Sequence, residues 1–508
     1  MAFALLAHAQ INFQETIGGT GYDGGRSMQQ TSDGGYIIAG SSTSSGGGYR
    51  FYLIKLDSAG TLVWTKTFGG SGNCYGYSVH QTSDGGYIIA GATNGFGAGG
   101  EDVYLLKTNG SGNLLWSKTY GGVLNDEGKS AQQTSDGGYI VAGSTQSFGV
   151  DAYLVKTNAT GDTLWTKTYG GSNVDIAYSI QQTTDGGYII AGSTQSFGAG
   201  NQDVYLIKTD SIGNPSWTKC YGGANADYAY SVQQTNDGGY IIAGTTLSFG
   251  AGREDIFLLK TDTAGNLSWA KTFGEGGTDY GYSVKQTADG GYIIAGEAFH
   301  ASLIKTDAGG NMVWSKTFGG INRSAAHAVH QTSDGGYTLA GITGSFSAFD
   351  YDIYFVKTDT LGDAGCFQTN PLTIATSPSP QTASPISSVS SGAVVGTFST
   401  LQGSIGASFF PCVVTGVPSA IQSSEQIRIY PNPLSRSTTI SFSLSKSQKV
   451  SFKIFDVSGR LVSIVTYKIF EAGKNELVWN AADVNAGIYF LKMESDKFLQ
   501  TEKIVVTK

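Results

Sequence analysis

Proline, cysteine and charge are all scarce in this chain. Its 508 residues hold 9 prolines, 4 cysteines and 14% charged side chains. So little proline excludes collagen and proline-rich disorder. Four cysteines make no disulfide framework. Cys74 and Cys220 fall in different repeats and read as single buried thiols. Cys366 and Cys412 flank one irregular segment; a bridge there would contribute roughly 4 kcal/mol and is permitted outside the cell, but the spacing does not decide whether they pair. No apolar run reaches about 18 residues, so no membrane span is expected. The net charge is −8 with both signs scattered, and no basic patch marks nucleic acid as a partner. G-x-S-x-G, H-E-x-x-H and P-loop motifs are missing. Paired carboxylates for glycoside hydrolysis stay open, because spacing along a repeat protein says nothing about distance across it.

Glycine and aromatics are plentiful: 74 Gly, 28 Tyr and 25 Phe. With β-branched residues, they point to short strands and many tight turns. The phrase DGGYIIAG, or a near variant, starts at Asp33, Asp84, Asp136, Asp185, Asp237, Asp289 and Asp334. The steps are 51, 52, 49, 52, 52 and 45 residues. A period of that size without helical patterning means a propeller or a solenoid.

One unit, taken from Tyr178, reads as four strands. YSIQQT is strand A, YIIAGST strand B, DVYLIKTD strand C and SWTKCYGG strand D. Asp-Gly at the A–B turn is a hairpin signal in which both residues favour positive φ. At the C–D turn, Asp or Asn stands three residues before Gly in every repeat (Asp57 and Gly60 in the first), so side-chain capping and a left-handed glycine are expected there. Trp64, Trp116, Trp165, Trp217, Trp269 and Trp314 follow at a fixed distance and read as packing between blades. In the seventh repeat Cys366 stands where Trp is due and strand D is missing. The segment Ile11–Gly19 supplies it: Phe13 matches Trp, and Gly18-Gly19 match the glycine pair. The prediction is a ring of seven blades, residues 10–365, closed by this N-terminal strand against Ile353–Asp359. Closure removes an exposed sheet edge.

The D–A loops place Asp23, Asp126, Asp175, Asp227 and Asp279 at one position, with Cys74 and Ser324 in the other two blades. An acidic ring of this kind binds a cation such as Ca²⁺ through carboxylate oxygens; the alternative is that each Asp holds a neighbouring amide and stitches blades together. Two residues on, the chain is always Gly or Ala, as a crowded central channel would require. The B–C loops carry Phe96, Phe148, Phe197, Phe249 and Phe346, either glycan platforms or plugs between blades. His80 and His330 take a slot filled elsewhere by glutamines such as Gln181 and Gln233, and read as structural; His300 and His327 have no recurrent partners. Blades one and six have irregular B–C connections and are where a specific pocket is expected.

The D-x-x-G-x-x-x-W turn resembles the tryptophan-docking motif of quinoprotein-like propellers, one residue shorter. The whole repeat is similar to those of secreted proteins of the Bacteroidetes. This resemblance covers residues 11–365. It implies blade architecture and no cofactor, since the vicinal cysteine pair of the quinoprotein enzymes is missing.

At the N-terminus, residues 1–9 read as a signal-peptide remnant: Ala7-His8-Ala9 fits a cleavage site that leaves Gln10 first, although the apolar run Ala2–Ala7 is short and no basic residue precedes it. Residues 366–425 read as a Ser/Thr/Pro-rich exposed tether, with Ser404–Thr415 as an extra strand. Residues 426–508 change character. Six or seven alternating strands in about 80 residues predict a small immunoglobulin-like β-sandwich. This stretch resembles the C-terminal sorting domain of the type IX secretion system. The matching residues are Tyr430, Pro431, Asn432 and Pro433, then Gly459 within FDVSGRLV, then Gly487 and Tyr489, then Lys503 in the last strand. The resemblance implies Sec passage, export by the type IX machinery, and removal of the domain by a sortase-like peptidase, with the cargo anchored on the outer surface or released. The expected whole is an all-β, secreted or cell-surface binding or scaffold protein with no catalytic role of its own and no required cofactor. Glycans or surface proteins are the expected partners. A carbohydrate-active propeller enzyme is the first alternative, and a structural spacer or adhesin the second.

Overall fold

The structure is a computed structural model. It describes residues 11–507 except 347–349, 366, 372, 384–387, 391–393, 398–400, 404–406, 416–427, 445–446, 457–460, 483 and 496–498. The cleavage segment, Cys366 and Gly459 therefore lie outside the described residues. Two compact units are present, Gln10–Gly416 and Val417–Lys508.

The first unit is a ring of seven antiparallel blades. In blade three, strands A to D are Asp126–Gln133, Tyr139–Thr145, Asp151–Thr157 and Thr163–Gly170. Strand A of the other blades is Asp23–Gln30, Cys74–Gln81, Asp175–Gln182, Asp227–Gln234, Asp279–Gln286 and Ser324–Gln331. The A strands of adjoining blades touch all round the ring, which makes A the innermost strand. Strands B and C are buried at every position in blade four, because both faces of each sheet pack against a neighbour.

The turns explain why D-G-G and K-T-D recur together. Gly34 N–H bonds Thr31 O and Thr31 N–H bonds Gly35 O, both at 2.8 Å. Only the glycine of the Asp-Gly pair has positive φ, +82° at Gly34, where the sequence suggested both. The aspartate has another task. Asp33 Oδ1 accepts from Thr31 Oγ1, Gly35 N and the Lys55 ammonium, the last reaching up from buried strand C. The same Lys–Asp pair recurs in all seven blades. Burial alone would raise these carboxyls, but the three donors outweigh it and hold Asp33, Asp84, Asp136, Asp185, Asp237 and Asp289 at about 2.

Each tryptophan docks on the next blade. The Trp116 ring lies 2.8 Å from where a Cβ on Gly161 would stand, and Gly161 holds φ +79°. Trp64, Trp165, Trp217, Trp269 and Trp314 meet Gly112, Gly213, Gly265, Gly310 and Gly362 in the same way. Any side chain at these glycines would displace an indole as well as strain the turn. Tyr120 and Tyr169 add hydroxyl bonds of 2.6 Å to the carbonyls of Gly161 and Gly213.

The ring closes as the sequence predicts. Ile11–Gly18 is the missing D strand, with Thr16 opposite Tyr354 and Phe13 opposite Lys357. Phe13 is fully buried and docks on Gly60 of blade one, as the tryptophans do elsewhere.

The segment after blade seven is not a free tether. It runs back round the outside of the ring and adds a fifth antiparallel strand to every blade. Gln368–Thr369 pairs with blade six, Ile374–Thr376 with five, Gln381–Ala383 with four and Ser388–Ser390 with three. Val394–Thr397 pairs with blade two, Leu401–Gly403 with one, and Ala407–Thr415 with the closing strand Ile11–Gly18. The outer edge of each D strand offers unpaired N–H and C=O groups, and the belt satisfies them. Its strands start six or seven residues apart.

The second unit has two sheets. One holds Arg428–Tyr430, Ser437–Leu444 and Gly473–Asn480; the other holds Leu461–Phe470, Gln448–Asp456, Gly487–Ser495 and Leu499–Val506. Phe442, Phe452, Phe470, Trp479 and Leu491 fill its core.

Candidate functional site: the channel mouth

Seven blades this similar are distinguished by few residues, and one position stands out. Strand A of every blade carries a β-bulge. In blade one the pairing with strand B passes from Gly25 to Ser27 and skips Arg26. The skipped residues of the other blades are Tyr77, Lys129, Tyr178, Tyr230, Tyr282 and His327. A bulge re-aims its extra side chain out of the ladder, and on the innermost strand that direction is toward the channel.

These side chains meet from blade to blade. Lys129 Nζ lies 4.1 Å over the Tyr77 ring. Tyr178 meets Tyr230 edge-on at 5.2 Å, Tyr230 meets Tyr282 at 5.7 Å, and Tyr282 meets His327 at 4.9 Å. His327 Nε2 is 3.3 Å from Arg26 Nη1. One arc is therefore aromatic, and basic groups flank Tyr77 on the other. Burial, helped by the Arg26 charge, pushes His327 down to about 3, so its imidazole is neutral. Burial raises the Tyr178 hydroxyl to about 12 and those of Tyr230 and Tyr282 further, so all three are neutral donors.

Around the ring, Tyr22, Tyr49, Tyr75 and Tyr351 cluster beside blade one, with centroid distances of 4.9 to 6.3 Å. Beside blade six, Arg323 Nη2 donates to Glu297 Oε2 at 2.8 Å, and Tyr282 Oη lies 3.4 Å from the same oxygen. Glu127 is likewise paired, with Lys129. Tyr49 of blade one and Glu297 of blade six are thus one-off side chains of the two irregular blades.

The five aspartates do not form a ring at the mouth. Each is buried at the start of strand A, in the seam between blades. Asp126 Oδ2 accepts from Gly122 N at 2.8 Å and Ser147 Oγ at 2.7 Å; Asp23, Asp175 and Asp227 repeat the pattern, and Asp279 accepts from Glu275 N. These bonds match the stitching alternative. A second aspartate, opening strand C of the preceding blade, faces each one: Asp352 faces Asp23, Asp102 faces Asp126, Asp151 faces Asp175, Asp203 faces Asp227, and Asp255 faces Asp279. A Cβ on Gly121 would lie 2.4 Å from Asp102 Oδ1 and 2.6 Å from Asp126 Oδ2. Burial first, and the neighbouring carboxylate after it, raise Asp151 to about 6 and Asp352 to about 7. Burial raises Asp102 and Asp279 to about 6 as well, against backbone hydrogen bonds to each. The two exceptional seams set Arg50 against Cys74 and His300 against Ser324. Among the described residues no group of three or more His, Cys, Asp or Glu could hold a metal ion.

One further expectation changes, and one choice between alternatives is decided. The small residue two past each aspartate is required by the neighbouring blade: a Cβ on Gly76 would meet Gly40 O at 2.4 Å, and on Gly281 would meet Gly244 O at 2.7 Å. The loop phenylalanines are plugs: Phe148 and Phe197 pack partly buried on Tyr153 and Tyr205 at 5.9 Å. The bulge residues themselves were missed, although their variation against a near-constant repeat was readable.

In the second unit, the residues of the sorting motif come together. Asn432 Nδ2 donates to Lys503 O at 2.7 Å, and its Oδ1 accepts from Val505 N at 2.8 Å. Pro431 O accepts from Thr438 Oγ1, and the Tyr489 hydroxyl bonds Asn485 O. Gly487 opens the strand that pairs with the last one, Pro433 precedes buried Leu434, and the Tyr430 hydroxyl reaches Glu476. Residues 428–507 match the family model described as a secretion system C-terminal sorting domain. The tail is a secretion sorting domain. The chain is thus a type IX cargo, exported to the cell surface or the extracellular space, and its sorting domain engages that machinery.

No curated protein matches the chain. Among solved structures it is similar to a protein of unknown function from Bacteroides caccae, at 13% identity over 60% of this chain and 93% of that one, with a TM-score of 0.33. It is also similar to PorZ of Porphyromonas gingivalis, a surface component of the type IX secretion system, at 11% identity over 97% of this chain and 74% of that one, again with a TM-score of 0.33. Scores at that level carry no argument about function.

Proposed function

We propose that this is a cell-surface binding or scaffold protein with no catalytic role of its own, whose ligand seats on the ring of bulge residues at the channel mouth. One observation carries the reading. The seven bulge residues are Arg, Tyr, Lys, Tyr, Tyr, Tyr and His, all aromatic or basic, while the turns and strand B are nearly constant. Structural positions repeat; a position that selects a ligand has no reason to. Tyrosine and basic side chains suit a saccharide or a protein loop: flat rings stack on sugar C–H faces, and hydroxyl and ammonium groups take its polar edges. The glycosidase alternative needs two carboxylates facing one open site. Glu127 and Glu297 are each held by a cation, although Glu127 also meets the Glu101 carboxyl, and the paired aspartates are buried between blades. A glycan array with the purified chain tests the carbohydrate form of the proposal. Hits should disappear with Tyr230→Ala and Tyr282→Ala. Unchanged hits would move the site elsewhere, and a silent array would leave the protein-partner form.

A further inference from the structure

Three residues beyond the bulge, strand A breaks the repeat again, this time toward basic side chains. The position holds Gln29, His80, Gln132, Gln181, Gln233, Lys285 and His330 in blades one to seven. Glutamine has a structural task here. The Oε1 atoms of Gln29, Gln181 and Gln233 accept the N–H of Gln81, Gln234 and Gln286 in the next blade, at 2.6 to 2.7 Å. Lysine has no acceptor, so Lys285 gives up that bond and adds a charge.

The strand C lysines each hold an aspartate, whereas no ion pair among the described residues includes Lys285. Lys285 is half-buried, and the protein packed around it pushes its ammonium below its ordinary value. His80 and His330 are also pushed down, chiefly by burial, with the Lys285 charge adding to it and a hydrogen bond with the Gln81 backbone opposing it at His80; His330 falls to about 4. His80 Nδ1 is buried with no hydrogen-bond partner. Taken in ring order, Lys285, His330, Gln29 and His80 occupy blades six, seven, one and two. They form one continuous arc of donors, and the remaining arc is Gln132, Gln181 and Gln233.

We propose that this arc is an anion site inside the channel, which takes a compact oxyanion group: a phosphate, a sulfate or a carboxylate. Lys285 supplies the charge. The neutral imidazoles and the Gln29 carboxamide, whose oxygen is already engaged, supply N–H donors. The site lies three residues further along strand A, next to the A–B turns, and does not depend on what binds at the bulge residues.

Lys285→Gln is the decisive variant, because it restores the residue that four blades already carry. The experiment is thermal unfolding and calorimetric titration of the full chain in inorganic phosphate, sulfate or acetate against chloride at matched ionic strength. The parent should be stabilised by at least one oxyanion over chloride, and the arm that responds names the group. Lys285→Gln should lose roughly 10- to 100-fold in affinity for it, yet unfold in chloride at the parent's temperature or higher. No response in the parent, an undiminished response in the variant, or a variant that melts lower in chloride would each overturn the proposal.

Discussion

Asp352→Asn tests the energetics of the seams. Asp352 faces Asp23 across the closing seam and is only 8% exposed. Burial and the Asp23 charge raise its carboxyl from 3.8 to about 7. Between those values the folded chain holds a proton that the unfolded chain has released. Stability must then fall as pH rises through that window and level off above it. A rise of that size corresponds to roughly 4 kcal/mol once both states are ionised, an upper figure because the seam can relax. Asparagine carries no charge and lacks this loss. The variant should match the parent near pH 4 and exceed it by about 2–4 kcal/mol near pH 8, read from urea unfolding by tryptophan fluorescence. The hairpin aspartates held at about 2 have the opposite sign, gaining stability as pH rises, but their window ends near pH 4. Their side chains are also exposed, 63% for Asp33, so solvent screens the gain. A gap between parent and variant that is equal at both pH values would refute the reasoning.

Two other outcomes follow from the ring. Phe13→Ala removes the one docking ring that is not tryptophan; being fully buried, it should cost about 3–5 kcal/mol in urea unfolding, and a loss below about 1 kcal/mol would mean that Phe13 is not needed for closure. A chain ending at Gly416 should melt like the propeller of the full chain, whereas one ending at Gly365, stripped of the outer strands, should melt lower; equal melting temperatures would show the belt to be energetically idle.

The blade was legible because its signals are local. Asp-Gly, Asx-x-x-Gly and the spaced tryptophan each mark a turn or a docking contact within a few residues, and seven copies repeat the statement. Closure was legible for a related reason: a missing strand at one end and a surplus strand at the other, with Phe13 and Gly18-Gly19 in register with the repeat. The belt was not. Its strands are two to four residues long on six blades, too short for alternation to show, and what holds them is the open edge of strand D rather than any preference of their own. Serine, threonine and proline there look like a tether because a strand paired on one side, over so few residues, needs little apolar surface.

The site was hidden by the logic that revealed the fold. A search for residues constant across repeats finds Asp23, Asp126, Asp175, Asp227 and Asp279, and constancy is what a seam demands: at five of the seven seams the blades meet in the same way, so the same carboxylate caps the same loop. A closed ring has one channel, and a ligand in it meets seven different directions, so the residues that recognise it are under no pressure to agree. The informative positions are then those where a constant frame lapses. Within strand A the frame lapses two residues before the bulge, at the bulge, and again three residues beyond it. It is the last of these lapses that bears on a charged ligand. All three replacements there, His80, Lys285 and His330, are basic residues in a chain of net charge −8, and the lysine among them cannot accept the N–H that the glutamines receive.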